Sequence, residues 1–280
     1  MTCWEPPLIS LLIACQSPTE IDVDLSPVSA ALEVSLDRPP WPEPDARMTV
    51  ASVDFPADFG IRKVYLDAGH GAGRNTGNTS AYCESEADVM VALAGPLAEA
   101  LEATGHFTVR QSRQPGESVP YRSRLRDATT WGAEVFVSLH SDSRGDLTPW
   151  QPAAGQSCYR SADTPGFSVL WSDEGTLRDQ RQALARALSA AMAAAGFHPY
   201  NGGEYVGLYG PDDVPGVFVD RHEPRKRIMF LRRPTMPSVI LETHHAMDPA
   251  SAARFREPTV VTAFHAAVIE GLTVFFSTGR

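Results

Sequence analysis

Three short runs place metal ligands or acid–base groups directly behind an apolar stretch: Asp67-Ala68-Gly69-His70-Gly71, Ser138-Leu139-His140-Ser141-Asp142 and Leu241-Glu242-Thr243-His244-His245. One histidine after a strand is an ordinary polar loop residue. Three such endings in one chain carry more weight, because each brings a polar group to the rim of a buried element, where it needs a partner. A catalytic zinc takes three ligands from His, Glu or Asp and leaves one position open for water. His70 and His140 supply two nitrogens, and Glu84 or Glu86 supplies a carboxylate from across the Gly- and Asn-rich loop 71–80. Zinc lowers the pKa of its water to about 7, and a nearby carboxylate then moves the proton. Glu242 is the candidate for that task. Residue types and spacing leave an equally weighted alternative, in which Glu242 caps a loop and His70 is a turn residue.

The elements that must position these groups alternate between short apolar runs and longer helical ones, the pattern of an α/β fold. Strands are expected at Lys63–Asp67, Phe107–Arg110, Glu134–His140 and Ser238–Glu242, and helices at Glu86–Glu102, Tyr121–Trp131 and Gly175–Gly196. Pro96 is expected to kink the first of these helices. A C-terminal helical region, Ala250–Phe276, should be interrupted near Pro258. The reading is a single domain, phosphorylase/hydrolase-like, with a mixed central β-sheet flanked by helices. His198–Arg227, rich in Gly and Pro, reads as a long loop that is either a lid or a solvated insertion.

A formal net charge of −10 over 280 residues disfavours a nucleic-acid partner. No run of about 18 uninterrupted apolar residues is present, so no transmembrane helix is expected. Leu12-Ile13-Ala14-Cys15 resembles a lipobox, which would make 1–15 a signal peptide and Cys15 an acylated membrane anchor. Glu5, and the lack of Lys or Arg ahead of the apolar run, depart from a secretory n-region. Export is the favoured reading. Residues 16–60, with Pro27, Pro39, Pro40, Pro42 and Pro44, read as a Pro-rich linker, or alternatively as an arm packed on the domain. Four cysteines without CxxC spacing exclude a zinc knuckle and leave Cys83 and Cys158 either bridged or free.

Four separated blocks, in order, resemble the zinc-dependent N-acetylmuramoyl-L-alanine amidase family (amidase type 3). They are Tyr65–Gly71, Glu86-Ala87-Asp88-Val89, Val119–Arg124 with Gly132–His140, and Met236–Glu242. The likeness runs through about residues 61–276 of the catalytic region 61–280. It implies that His70, Glu86 and His140 are zinc ligands, Glu86 being preferred over Glu84 because Asp88-Val89 follow it, and that Glu242 is the catalytic general acid/base. The activity implied is hydrolysis of the amide between N-acetylmuramic acid and L-alanine in peptidoglycan, in the periplasm or cell envelope, under the control of a regulatory activator protein. Some members carry a segment that blocks the zinc, an arrangement which would fall on His198–Arg227. The chain departs from the pattern at Ala68, Ala72 and Ser141-Asp142, and at Thr243-His244-His245, where a glycine–phenylalanine pair is usual. The alternatives are a zinc peptidase acting within the stem peptide and a catalytically silent wall-binding lipoprotein.

Overall fold

The computed structural model describes residues 41–278 apart from 162 and 164, so the signal peptide and Cys15 lie outside the described residues. The element order is β1 (Arg62–Ala68), α1 (Glu86–Ala103), β2 (Phe107–Gln111), α2 (Tyr121–Trp131), β3 (Val135–Asp142), β4 (Thr148–Trp150), β5 (Cys158–Arg160), β6 (Ser168–Trp171), α3 (Arg178–Ala194), β7 (Tyr209–Pro211), β8 (Val217–Asp220), α4 (Met229–Arg232), β9 (Ser238–His245), α5 (Pro249–Arg254) and α6 (Pro258–Thr278). Seven strands form one mixed sheet in the order β2-β1-β3-β9-β6-β8-β7. Its centre, β1, β3 and β9, is parallel, and β6 runs antiparallel to β9.

The central strands are continuous apolar runs because helices cover both of their faces. Alternation decides which helices each residue meets. Val64, Leu66, Val137, Leu139, Val239 and Leu241 pack among α1, α3 and α6. Tyr65, Phe136 and Ile240 point the other way, toward α2 and α4, where Phe136 lies 5.2 Å from Phe230 and 5.3 Å from Tyr65 between ring centroids. Because β1, β3 and β9 are parallel, their carboxyl ends share one edge, where an open α/β sheet leaves a crevice. All three polar endings meet there.

Two sequence expectations change. Residues 198–227 are not a bare loop: they contain β7 and β8, with Val217, Phe218 and Val219 buried in the sheet and Tyr200 and Tyr205 beneath them. The pattern was hidden because these strands are three and four residues long, too short for period-2 alternation. Residues 41–60, expected within the linker, pack onto the domain. Trp41 is wedged 5.2 Å from Phe197 and 5.7 Å from Phe255, Arg254 donates to the carbonyls of Pro44 and Ala46, and Phe59 is 1% exposed. Helix α6 is long and apolar enough to cross a membrane, but Val260, Phe264, Val268 and Leu272 are buried in the core. Its apolarity is that of a core helix. Helix α1 continues through Pro96 to Ala103.

Candidate metal centre

Helix α1 begins at the point the site requires. Ser85 caps it, its side chain accepting from the Asp88 N–H, and Glu86 occupies the first turn, where the free N–H groups and the dipole favour negative charge. Loop 71–85 folds over this end: Glu86 N–H donates to the Asn78 carbonyl (2.9 Å) and Ala87 N–H to that of Thr76 (3.0 Å).

The Glu86 carboxylate, 3% exposed, lies between two imidazoles. His70 Nε2 is 3.0 Å from its Oε2 and His140 Nδ1 2.9 Å from its Oε1. Backbone N–H groups of Asn78 (3.0 Å, to Oε2) and Ser141 (3.1 Å, to Oε1) complete its shell. The far side of the His70 ring is fixed by Asn75 Oδ1, 2.9 Å from Nδ1; because that oxygen also accepts from Gly77 N–H, the ring nitrogen is the donor. Burial alone would raise the Glu86 carboxyl, but hydrogen bonds from His140 and His70 outweigh it and hold the group well below the carboxylate range. For His70, burial opposes protonation and Glu86 outweighs it, raising the imidazole.

Three ligand atoms, one each from His70, Glu86 and His140, lie within 4.8 Å of one another, a group able to hold a metal ion. This donor set of two imidazoles and one carboxylate suits a borderline cation such as zinc. Two glycines make room for it. A Cβ on Gly69 would sit 2.6 Å from the His140 ring, and one on Gly77, at φ +74°, would collide with Glu86 Oε2. Glu84, the alternative ligand, is instead exposed and paired with Arg256.

Glu242 pairs in register with His140 across β3 and β9. Its Oε2 is buried and has no hydrogen-bond partner among the described residues. Burial, together with the nearby carboxylates of Asp142 and Glu86, pushes its carboxyl well above the ordinary range despite Arg144. A bulge just beyond separates the two histidines, since His140 to Asp142 opposes Glu242 to His245. His244 is stacked on Phe255 at 4.5 Å and buried, which pushes its imidazole down to about 3. His245 sits against the Asp142 carbonyl, with Nδ1 3.4 Å away.

The residues that hold these groups were not singled out from sequence. Arg124, fully buried on α2, donates to Asp67 Oδ1 (3.0 Å) and to the carbonyls of Ala68 (3.0 Å), His70 and Val119 (3.0 Å). Arg113 spans the carbonyls of Ala68, Gly69 and Ala87, tying the His70 turn to the start of α1. On the other flank, Asp142 accepts from Arg144 Nε (2.8 Å) and the Tyr205 hydroxyl, which also lies 2.9 Å from Ser168 Oγ, the register neighbour of Glu242. The available signal was a charge at a buried helical position, Arg124, four residues before the buried Ala128.

Residues 64–274 match the N-acetylmuramoyl-L-alanine amidase family. The chain is 23% identical over 238 residues to the N-acetylmuramoyl-L-alanine amidase AmiC of Escherichia coli O6:H1, covering 77% of this chain and 53% of that protein, so it spans about half the length of this curated relative. Among solved structures it resembles the N-acetylmuramyl-L-alanine amidase Ami1 of Mycobacterium smegmatis, with a TM-score of 0.61 and 20% identity over 79% of this chain and all of that one. It also resembles the Clostridium difficile 630 amidase, with a TM-score of 0.59 and 18% identity over 79% of this chain and 100% of that one. The CwlD amidase of Clostridioides difficile, solved in complex with the GerS lipoprotein, aligns with a TM-score of 0.52 and 16% identity over 77% of this chain and 98% of that one. At these identities the structural likeness is one of fold.

Proposed function

Because the chain belongs to the N-acetylmuramoyl-L-alanine amidase family, we propose that it is a zinc-dependent hydrolase of the amide between N-acetylmuramic acid and L-alanine in peptidoglycan. The observation that carries this reading is the convergence of His70, Glu86 and His140 at the strand edge that also holds Glu242. The first three would hold zinc, with His70 fixed from outside by Asn75 and Glu86 by the backbone N–H groups of Asn78 and Ser141. Zinc bound there supplies Lewis acidity to the scissile carbonyl and makes a nucleophile of water near neutral pH.

Glu242 does the proton work. Its carboxylate takes a proton from the attacking water as oxygen adds to the lactyl carbonyl carbon. It returns that proton to the L-alanine nitrogen as the C–N bond breaks. An enclosed carboxyl with a raised affinity for protons is suited to both halves of the exchange. A peptidoglycan substrate would place the enzyme in the periplasm or cell envelope, anchored if Cys15 is acylated, with an activator protein as a regulatory partner. A zinc peptidase could use the same ligands, so the products decide between the two.

Purified peptidoglycan digested by the full chain should release intact stem peptides beginning at L-alanine, identified by mass and N-terminal labelling. Release should stop with a chelator, return with zinc and be absent in Glu242→Gln. New amines elsewhere in the stem would reassign the enzyme as a peptidase, and chelator-resistant release would overturn the metal assignment.

A further inference from the structure

Cys83 and Cys158 form a disulfide whose Cα atoms lie 5.5 Å apart, across a sequence separation of 75. Its two ends lie ahead of one candidate ligand in the chain and beyond another. Cys83 lies in the turn immediately before the Ser85 cap of α1 and so just ahead of Glu86. Cys158 lies in β5, whose hairpin with β4 follows β3 and thus His140. The hairpin is itself tied to the site, since Ser161 N–H beyond β5 donates to the Met247 carbonyl beyond β9.

The turn at Cys83 is not one its sequence favours. Cys83 has φ +62°, left-handed backbone that costs a residue with a Cβ about 1–2 kcal/mol. Such conformations persist only when the surroundings over-determine them. The non-covalent restraints on the Cys83 turn are hydrogen bonds: Cys83 N–H to the Ser80 carbonyl (2.9 Å), Ser80 N–H to Glu84 (2.8 Å), Ala81 N–H to Ala246 (2.9 Å), and the N–H groups of Tyr82 (3.2 Å) and Glu84 (3.3 Å) to Ser80 Oγ, with a bridge between Thr79 and Ser85. The disulfide is the covalent restraint on the same turn. Cys83 is exposed, within reach of thiol reagents, while Cys158 is buried.

We propose that the Cys83–Cys158 disulfide is a positioning device for Glu86, so that metal binding depends on its formation. With the bond intact, the turn stays left-handed and presents Glu86 between His70 and His140. In the dithiol form Cys83 relaxes toward right-handed backbone, the first turn of α1 loosens and the ligand set loses its convergence. Two thiols give up two protons and two electrons to form the S–S bond. A disulfide oxidant accepts them, its own S–S bond becoming two thiols. The chain is thus metal-poor where thiols stay reduced and metal-competent in an oxidising compartment. This inference rests on the reading of His70, Glu86 and His140 as metal ligands.

The test measures zinc affinity of the full chain by competition with a chromophoric chelator, with the disulfide intact and after reduction by a phosphine, and in Cys83→Ser/Cys158→Ser. Metal-free samples are also subjected to limited proteolysis. Reduction and the double serine variant are expected to weaken zinc binding about 10- to 100-fold, the range of outer-shell losses at metal sites, and to speed cleavage within residues 71–85. With saturating zinc, kcat should recover at unchanged KM. Cys83→Gly/Cys158→Ser, which relieves the left-handed turn without the bond, should regain part of the affinity. Leu272→Ala, a core truncation that keeps the disulfide, should lower Tm and leave zinc affinity alone. If the double serine variant fails to fold, reduction of the folded wild type still decides. Equal affinity before and after reduction overturns the proposal, as does an equal loss in Leu272→Ala. Failure of the oxidised wild type to bind zinc overturns the metal reading itself.

Discussion

A carboxylate with an enclosed, unpartnered oxygen is costly, and Glu242 bears that cost at the position where the proposed mechanism moves a proton. Glu242→Gln is expected to lower the hydrolysis rate about 10²- to 10⁴-fold, the usual contribution of a general acid–base, with zinc content unchanged by metal analysis. The folded carboxyl is raised, so its stabilising contribution is complete below the ordinary carboxylate pKa and is lost as pH rises through the folded value. Metal-free Glu242→Gln should therefore melt above metal-free wild type at neutral pH, with the gap closing in acid. His244 runs the other way, since burial holds it neutral down to about 3. Its contribution is complete above the unfolded histidine value and is lost as pH falls toward 3, with a slope of up to about 1.4 kcal/mol per pH unit. Urea unfolding of His244→Phe between pH 7 and pH 4 should show that slope removed while hydrolysis at neutral pH persists.

The β1–α1 connection is built around two buried arginines. Arg124 satisfies Asp67 and carries the turn at His70, whose own φ of +58° is left-handed. Removing it leaves the Asp67 charge buried without its ion-pair partner, a loss of about 3–5 kcal/mol. Arg124→Ala should show this in denaturant unfolding, and Arg124→Lys, which cannot reach four acceptors in a fork, should recover only part. Gly69→Ala puts a methyl group against the His140 ring. It should reduce zinc affinity by calorimetry at a modest change in Tm. The same helices and strands were legible in the sequence wherever the pattern was long, as in α1, α2, β3 and β9. The bulge that divides the Glu242 side of β9 from the His244 side was not, because it is set by pairing with β3.

At the scale of the whole molecule, the segment 41–60 packs as part of the folded domain. Trp41 and Phe59 each bury a large ring, worth about 1.5–3 kcal/mol apiece. A chain beginning at residue 61 should therefore unfold at clearly lower denaturant than one beginning at residue 41, while keeping the ligand set. Likewise, deleting 200–223 to release an inhibitory lid would remove β7, β8 and Tyr205. Loss of cooperative melting is the expected result, so autoinhibition calls for point substitutions on that segment instead.

The order of apolar runs and the polar residues that end them were enough to determine an α/β fold, the candidates His70, Glu86, His140 and Glu242, and the family they resemble. Those features are local, written in periodicity and in residue type at strand ends. Only the tertiary structure decided that His244 turns into the core, that Cys83 meets Cys158 and that residues 198–227 complete the sheet. Each of these depends on which segments lie side by side after folding, through parallel register, a bulge and the burial of short strands, and no local pattern carries that information.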